Sequence, residues 1–533
     1  MPAINYKAAV LYVLIGCLAL FLIFYHLGER PMWGDELTTA LLSVNIIKFG
    51  LPKVSDGKNS ITYMGEGIDS DKYGNGTWTA WLAEYVTEVS FKLFGQTTAA
   101  ARLPFAIIGF ICVALMAFVV WRIYGSHEIS LMSMLFLTTS EVFILHVRQC
   151  RYYSLIVAAE IVFIWGVYVL LKGRRQAGTA LLAAALTVQF YSNYIVIAGS
   201  IVALCVLLAT IYRRYDGVLR GGAAAFIIFS ALSMPWILYA RPWRQAGHTG
   251  NENIVEKVVY YLWEMNFHIV ALIIFLVPLI YQLIKPHDEQ RVRQPADDVQ
   301  LYLWILIPSV AATVSLAPGV FLRYLLPLLP ASLILQSVIL KRCLGRGACG
   351  RVVRVALVLV LCLTNFAAYY PFYPIKLLDP SNVPFKIHSP GLSLPTLIRA
   401  TYTPYSDRPG DVIKFLKKEG AEGQSVLTSD SGMSLIFYNG MRIINSSTES
   451  LENLKELPDW IFTESAAVLP KRQPPMYPSK EIAALYTPIT LRVHASRKCG
   501  AIPEPDMHES FSSQDWEDLL VFRKKATGKN TEK

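Results

Sequence analysis

The stretch Trp33-Gly34-Asp35-Glu36-Leu37 follows a hydrophobic segment, Ala8 to Leu27, that is long enough to cross a membrane. Two adjacent carboxylates after a first span, ahead of a long loop and further apolar segments, suit an enzyme that deprotonates an acceptor beside a lipid-borne donor. The alternative is a solvated pair, or one that stabilises the start of a helix near Leu37. Trp33 and Gly34 favour the functional interpretation, because an interfacial aromatic anchors the span end and glycine lets the backbone turn toward a cleft.

The composition is that of a polytopic α-helical membrane protein. The chain has 533 residues, of which 54% are hydrophobic and 17% charged, with a mean hydropathy of +0.40. Segments of the length that a bilayer requires follow one another up to Tyr370, and we predict about 11 transmembrane helices. The predicted spans are Ala8 to Leu27, Leu103 to Tyr124, Ile129 to Val147, Ser154 to Leu171, Thr179 to Tyr191, Ile195 to Tyr212, Gly222 to Tyr239, Phe267 to Ile284, Leu301 to Leu316, Leu322 to Leu340 and Val352 to Tyr369.

Basic residues cluster in four loops that share one side of the membrane if eleven spans are correct. The positive-inside tendency makes that side cytoplasmic, so the loop after span one and the tail are expected outside. The net charge of +10 is explained by this topology and by contact with anionic membrane lipids, so no nucleic-acid partner is expected. Without a clear cleavage site before Arg30, the first span is read as an anchor, which fits a multi-pass protein of the cell inner membrane.

The eight cysteines form no disulfide framework or zinc spacing.

The chain divides into a membrane domain, residues 1–370, and a tail, residues 371–533. The membrane domain includes a first extracytoplasmic loop, residues 28–101, in which Leu37 to Phe49 and Trp78 to Leu93 are predicted to be helices on the membrane surface. Prolines open the tail, and beyond them the pattern predicts a small α/β extracytoplasmic domain. Its predicted elements are a helix, Asp411 to Lys418, and strands at Ser425 to Thr428, Ile436 to Tyr438 and Asp459 to Phe462.

The first loop carries further polar residues in a glycine-rich segment. Asp71 could help Asp35 bind a divalent cation such as Mg, Mn or Zn, because hard cations often take one or two carboxylates together with phosphate oxygens. A polar turn with no such role is the alternative. Lys72 could contact a phosphate as a point charge.

Two arginine motifs are predicted to face the same exterior cleft. Arg148, Arg151 and Tyr152 lie in a short turn between the third and fourth spans, and Arg323-Tyr324 begins the tenth. Arginine at this depth requires water, headgroups or an anionic ligand. Snorkelling to lipid headgroups is one explanation, and a pocket for the donor phosphate is the other, since guanidinium binds phosphate in a bidentate manner.

These features together resemble the GT-C-fold glycosyltransferases, in the branch of the protein O-mannosyltransferases and the lipid A aminoarabinose transferase. The resemblance covers roughly residues 1–340 and depends on the order of its motifs. These are Gly34-Asp35-Glu36, Phe91-Lys92-Leu93-Phe94-Gly95 leading to Ala101-Arg102-Leu103-Pro104, Arg148 to Leu155, Pro235-Trp236 and Arg323-Tyr324-Leu325-Leu326-Pro327.

The resemblance implies transfer of a sugar from a polyprenyl-phosphate donor outside the cytoplasm, in one displacement with inversion. It assigns Asp35 the role of general base and a contact to a metal, with Glu36 as its supporting neighbour. Where relatives carry histidine or asparagine followed by prolines, this chain has Asn75-Gly76-Thr77, so the acceptor contacts of that loop, Asn75 among them, are left open. The acceptor is a lipid, a glycan or a protein, and neither it nor the sugar follows from the sequence.

Two other functional classes fit many spans and charged loops. A transporter or lipid flippase of glycolipid precursors is one, although repeated halves and broken mid-membrane helices are not evident in the sequence. A receptor or assembly subunit that acts through its tail is the other.

Overall fold

The computed structural model describes residues 6–61, 66–247, 253–276, 278, 293–317, 319–344, 347–370, 390–403, 407–428, 432–445, 456–462, 480–494 and 516–525. Most of these residues are helical. The helices are α1 Tyr6–Phe24, α2 Gly34–Phe49, α3 Leu82–Phe94, α4 Thr98–Tyr124, α5 His127–Thr139, α6 Glu141–Val147, α7 Tyr153–Leu171, α8 Arg175–Ser192, α9 Ile197–Ile211, α10 Val218–Ala240, α11 Ile254–Glu264, α12 Pro295–Val314, α13 Leu328–Cys343, α14 Ala348–Leu363, α15 Phe366–Tyr369, α16 Ser393–Tyr402, α17 Arg408–Lys418, α18 Gly432–Asn439 and α19 Lys480–Ala484. Short irregular helices occur at Pro242–Gly247, Met265–Ile269 and Leu322–Leu325.

Within the described residues, four helices are long and apolar enough to cross a membrane: α1, α4, α7 and α10. A fifth span results if α5 and α6, which meet at an angle of 62°, are counted together. The protein is therefore a multi-pass membrane protein. Eleven spans stay a prediction, because α13 and α14 have 16 residues each, fewer than the roughly 20 that a bilayer requires. The predicted span Phe267 to Ile284 lies partly outside the described residues.

The predicted helices of the first loop are present as α2 and α3. The acidic pair occupies the first turn of α2, where carboxylates interact favourably with the helix dipole. Gly50 ends the helix in the left-handed conformation at φ 76°, and its N–H donates to the carbonyl of Ile46. Much of α2 is buried, with Glu36, Ala40, Ser43 and neighbouring residues inside the protein. Whether these helices lie on the membrane surface stays a prediction.

The break between α5 and α6 directs the chain into the turn that carries the first arginine motif. Ser140 stands between the two helices and its hydroxyl accepts a hydrogen bond from the N–H of Phe143, which starts α6. Further on, α6 ends at Val147 and α7 begins at Tyr153. Gly109 of α4 packs directly on Val147, with no room for a side chain, so α4 and α6 are in close contact.

The tail contains a five-stranded sheet in the order β2-β1-β3-β5-β4. Its strands are β1 Ser425–Thr428, β2 Arg442–Asn445, β3 Trp460–Phe462, β4 Tyr486–His494 and β5 Trp516–Lys524. Strands β1, β2 and β3 are parallel, while β5 runs antiparallel to β3 and β4. The small α/β fold expected of the tail is thus present, and its placement outside the cytoplasm stays a prediction.

One predicted strand of the tail is wrong. The segment Ile436 to Tyr438 lies in α18. A short apolar run does not distinguish a strand from a buried helix, and here packing selects the helix. Leu435 enters the core of the tail, while the Phe437 ring lies 6.1 Å from that of Phe91 in the first loop.

Candidate active site

Three separate segments meet around the carboxylate of Asp35. Asp35 lies in the first turn of α2, Arg151 in the turn between α6 and α7, and Arg323 in the irregular helix before α13. Asp35 Oδ2 is 3.4 Å from Arg151 Nη2 and 3.7 Å from Arg323 Nη2. The Asp35 side chain is 33% exposed, whereas the two arginine side chains are 8% and 14% exposed. The fold therefore places an accessible carboxylate against two largely buried cations.

Arg151 is held firmly in this arrangement. Its Nη1 donates to the Asp35 carbonyl at 3.3 Å and to Thr39 Oγ1 at 3.0 Å, and its guanidinium lies 4.9 Å from the ring of Tyr152. Burial by itself lowers the pKa of Arg151, but the charge of Asp35 and other nearby groups outweighs it and raises that pKa above the ordinary value. Arg151 therefore stays cationic.

Arg323 is held mainly by aromatic rings. Its guanidinium lies 3.9 Å from the centre of the Phe321 ring and 6.0 Å from that of Tyr324. Within the described part of the chain it pairs with Asp35 but makes no side-chain hydrogen bond. Because guanidinium carries five N–H donors, Arg323 has donors available for an anionic ligand.

Glu36, the neighbour of Asp35, points into the protein and is fully buried. It pairs with Arg102 of α4 through two bonds, Arg102 Nε to Oε1 at 2.8 Å and Arg102 Nη2 to Oε2 at 2.7 Å. Glu36 Oε1 also accepts from the N–H of Cys150 at 2.7 Å, and Oε2 from the N–H of Trp33 at 3.4 Å. Glu36 therefore joins the start of α2 to α4 and to the turn that presents Arg151, and it is not accessible from outside the protein.

Arg148 contacts the end of α1 and not Asp35. Its guanidinium donates to the carbonyls of Leu22, Ile23 and Tyr25 at 2.7, 3.2 and 2.8 Å. These carbonyls belong to the end of α1 and the turn after it, where backbone acceptors lack helical partners. Arg148 therefore caps α1 with three hydrogen bonds, and a contact between Arg148 and a phosphate stays a prediction.

Asp71 and Asn75 form a tight turn attached to the end of α10. Asp71 Oδ1 accepts from the N–H groups of Tyr73 and Asn75, both at 2.8 Å. Its Oδ2 accepts from Asn75 Nδ2 at 2.8 Å and from the Tyr239 hydroxyl at 2.6 Å. Burial opposes ionisation of Asp71, but these hydrogen bonds outweigh it and leave its pKa below the ordinary value. Lys72 is exposed, with its ammonium 4.9 Å from the Tyr73 ring.

These residues do not fit a divalent cation bound by Asp35 and Asp71. All the acceptor positions described for Asp71 are occupied by N–H and O–H donors, and Asp35 is flanked by two guanidinium groups that would repel a cation. Among the described residues, no group of three or more His, Cys, Asp or Glu side chains could hold a metal ion.

Two residues near the site were not among the sequence candidates. Arg102 was noted only as part of a motif, although a charge at the start of an apolar helix is itself a signal of a specific partner. Glu84 of α3 is buried, accepts from Thr79 Oγ1 at 3.0 Å, and has its Oε2 unpaired within the described residues. Burial raises the pKa of Glu84, and the nearby charge of Arg151 opposes this only in part. Spacing along the sequence gave no signal for Glu84.

No protein-family model and no curated protein sequence matches this chain. Solved structures do match. ArnT from Cupriavidus metallidurans bound to undecaprenyl phosphate aligns with a TM-score of 0.57 and 13% identity, over 97% of this chain and 98% of that chain. The same protein in the apo state aligns over the same shares with a TM-score of 0.56 and 15% identity. At these identities the likeness shows the fold alone, and the fold shared with ArnT confirms the resemblance in fold that the sequence predicted.

Proposed function

We propose that this protein is an integral-membrane glycosyltransferase that moves a sugar from a polyprenyl-phosphate donor to a lipid, glycan or protein acceptor on the extracytoplasmic face. The observation that carries the proposal is the accessible carboxylate of Asp35 beside Arg151 and Arg323. That pairing puts a proton acceptor next to phosphate-binding cations. The lipid donor is supported by the fold, since the neighbour with the same fold was solved with undecaprenyl phosphate bound.

In the proposed reaction, the oxygen of an acceptor hydroxyl forms a bond to the anomeric carbon of the donor sugar. The bond from that carbon to the phosphate oxygen breaks, and the polyprenyl phosphate leaves with the electron pair. Asp35 takes the hydroxyl proton as general base. The attack comes from the side opposite the phosphate, so the anomeric configuration inverts.

The two arginines stabilise the negative charge that grows on the leaving phosphate. Charge stabilisation that strengthens from ground state to transition state lowers the barrier. Arg323 has donors that are not committed within the described residues, and Arg151 brings a second charge to the same carboxylate. The ring of Tyr152 lies beside Arg151 and the ring of Tyr324 beside Arg323, and these two tyrosines complete the proposed phosphate contacts.

Glu36 acts in this proposal through position and not through chemistry. Its carboxylate is enclosed by Arg102 and by the N–H groups of Cys150 and Trp33, so an acceptor hydroxyl cannot reach it. It fixes the distance between α2 and the turn of Arg151. Lys72 and Arg148 are not assigned to the phosphate, since Lys72 contacts the Tyr73 ring and Arg148 caps α1.

The test is Asp35→Asn in purified, lipid-reconstituted protein supplied with a polyprenyl-phosphate sugar and extracts of candidate acceptors. Loss of the base should lower the transfer rate by about 10²- to 10⁴-fold, while binding of polyprenyl phosphate is kept. Asp216→Asn, at an exposed residue in the turn before α10, is the matched control and should transfer at the normal rate. Near-normal turnover of Asp35→Asn would contradict the assignment, and movement of intact lipid without bond formation would favour a flippase.

A further inference from the structure

The tail domain is packed against the helix that carries Asp35. Helix α18 of the tail lies along α2, with Met433 Sδ 3.6 Å from the hydroxyl of Thr38. A second contact joins the tail sheet to the first loop, where Asn59 bonds to the Met441 carbonyl at 3.1 Å and to the N–H of Ile443 at 2.8 Å. The tail therefore contacts the first loop both at α2 and at Asn59.

Tyr438 makes the most specific of these contacts. Its hydroxyl accepts a hydrogen bond from the N–H of Met32 at 2.9 Å and is 2.8 Å from the Thr98 hydroxyl. Met32 is buried, so its N–H has no access to solvent as a substitute for this acceptor. One tail hydroxyl thus holds the residue ahead of the α2 N-cap and the first residue of α4.

These two points flank the buried ion pair beneath the site. Thr98 lies one helical turn before Arg102, and Met32 precedes Trp33, whose N–H donates to Glu36. A shift at Tyr438 would therefore reach the first turn of α2, in which Asp35 lies.

We propose that Tyr438 is a positioning residue for sugar transfer, through which the tail domain fixes the first turn of α2 so that Asp35 faces Arg151 and Arg323. This inference rests on the proposed function for its kinetic consequence. It makes the tail a structural part of the catalytic site and not an appended module. Tyr438 touches neither sugar nor phosphate in this role.

The experiment compares Tyr438→Phe with Tyr486→Phe in the full-length protein. Both changes remove one hydrogen-bonded tail hydroxyl, but that of Tyr486 donates to the Pro458 carbonyl at 2.7 Å inside the tail. Tyr438→Phe should lower kcat about tenfold, the factor expected of a modest loss of alignment, with the donor KM changed less than about twofold. Tyr486→Phe should leave both constants unchanged.

Amide hydrogen exchange over residues 32–37 is the second measurement, and it does not depend on activity. Exchange there should be faster by about tenfold in Tyr438→Phe and normal in Tyr486→Phe. If Tyr438→Phe does not fold, Thr98→Val removes the other partner of the same hydroxyl and should give the same pair of effects. Normal kcat with normal exchange, or equal slowing by both tyrosine variants, would overturn the inference. A wild-type protein without transferase activity would refute the proposed function, while the exchange data would still decide the positioning.

Discussion

At the scale of single residues, two adjacent carboxylates have separate roles. Successive residues of a helix point about 100° apart, so side chains at neighbouring positions cannot share one direction. Asp35 is 33% exposed, while Glu36 is enclosed by Arg102. Loss of one partner of such a buried pair typically costs about 3–5 kcal/mol of stability. A variant of Glu36 is therefore expected to report on folding before it reports on chemistry.

Glu84 provides a prediction on pH at the same scale. Because its pKa is raised in the folded protein, the folded state holds this proton more tightly than the unfolded state does. Its contribution to stability is therefore complete below the ordinary pKa of 4.5 and is lost as the pH rises toward the folded pKa. Glu84→Gln, which cannot ionise, should remove this loss.

Thermal unfolding at pH 5 and pH 8 checks the prediction for Glu84. The melting temperature of Glu84→Gln relative to wild type should be higher at pH 8 than at pH 5. Asp216→Asn changes an exposed carboxylate, and its melting temperature should differ from that of wild type by the same amount at pH 5 and at pH 8. A gap between Glu84→Gln and wild type that does not change with pH would show that Glu84 is not held protonated.

At the scale of elements, the turn between α6 and α7 connects three parts of the molecule. Arg148 at its start binds the end of α1, the N–H of Cys150 binds Glu36 of α2, and Arg151 meets Asp35. The turn is short, so these residues cannot move independently. Two arginines three positions apart therefore serve different purposes, one in joining helices and one in the site.

Arg148→Ala distinguishes these purposes. Removing the guanidinium leaves carbonyls at the end of α1 without donors, which should lower stability by about 1–3 kcal/mol. Binding of polyprenyl phosphate per folded molecule should stay within about twofold of wild type, whereas Arg323→Ala should weaken it at least tenfold, since it removes a charge-assisted contact. Thermal unfolding and a lipid titration measure the two effects. If Arg148→Ala bound the lipid more weakly and its stability were unchanged, Arg148 would be a phosphate contact after all.

At the scale of the whole molecule, the arrangement requires the first loop and the tail to lie on the same side of the membrane. Tyr438 and Asn59 contacts join these two parts directly. At the other end of the helices, Lys341 and Arg354 both pair with Glu128, and Arg214 pairs with Asp298. Acidic partners thus neutralise some of the basic residues in these loops. The remaining excess of lysine and arginine still favours a cytoplasmic location for the loops.

Labelling of single cysteines tests this topology. Lys58→Cys in the first loop and Asp216→Cys in the turn before α10 are both exposed positions. In intact cells a membrane-impermeant thiol reagent should modify Lys58→Cys, and it should modify Asp216→Cys only after permeabilisation. Cys349→Ser removes an exposed background thiol from both proteins. Reaction of Asp216→Cys in intact cells, or protection of Lys58→Cys, would contradict an extracytoplasmic site.

The sequence by itself determined the features that depend on local patterns. Hydropathy identified a multi-pass membrane protein, and the predicted helix Leu37 to Phe49 matches most of α2, since both depend on residues a few positions apart. The order of the motifs was enough to predict the GT-C fold. Short apolar runs were ambiguous, as the helix at Ile436 to Tyr438 shows.

Only the tertiary structure decided which charged groups meet. Glu36 and Arg102 are 66 residues apart, Asp35 and Arg151 are 116 apart, and Met32 and Tyr438 are 406 apart. Such pairs form because packed helices bring their ends together, and a side chain's direction follows from that packing and not from its neighbours in sequence. Arg148 and Arg151 look alike in the sequence. For the same physical reason, only the fold places Arg151 beside Asp35 and Arg148 at the end of α1.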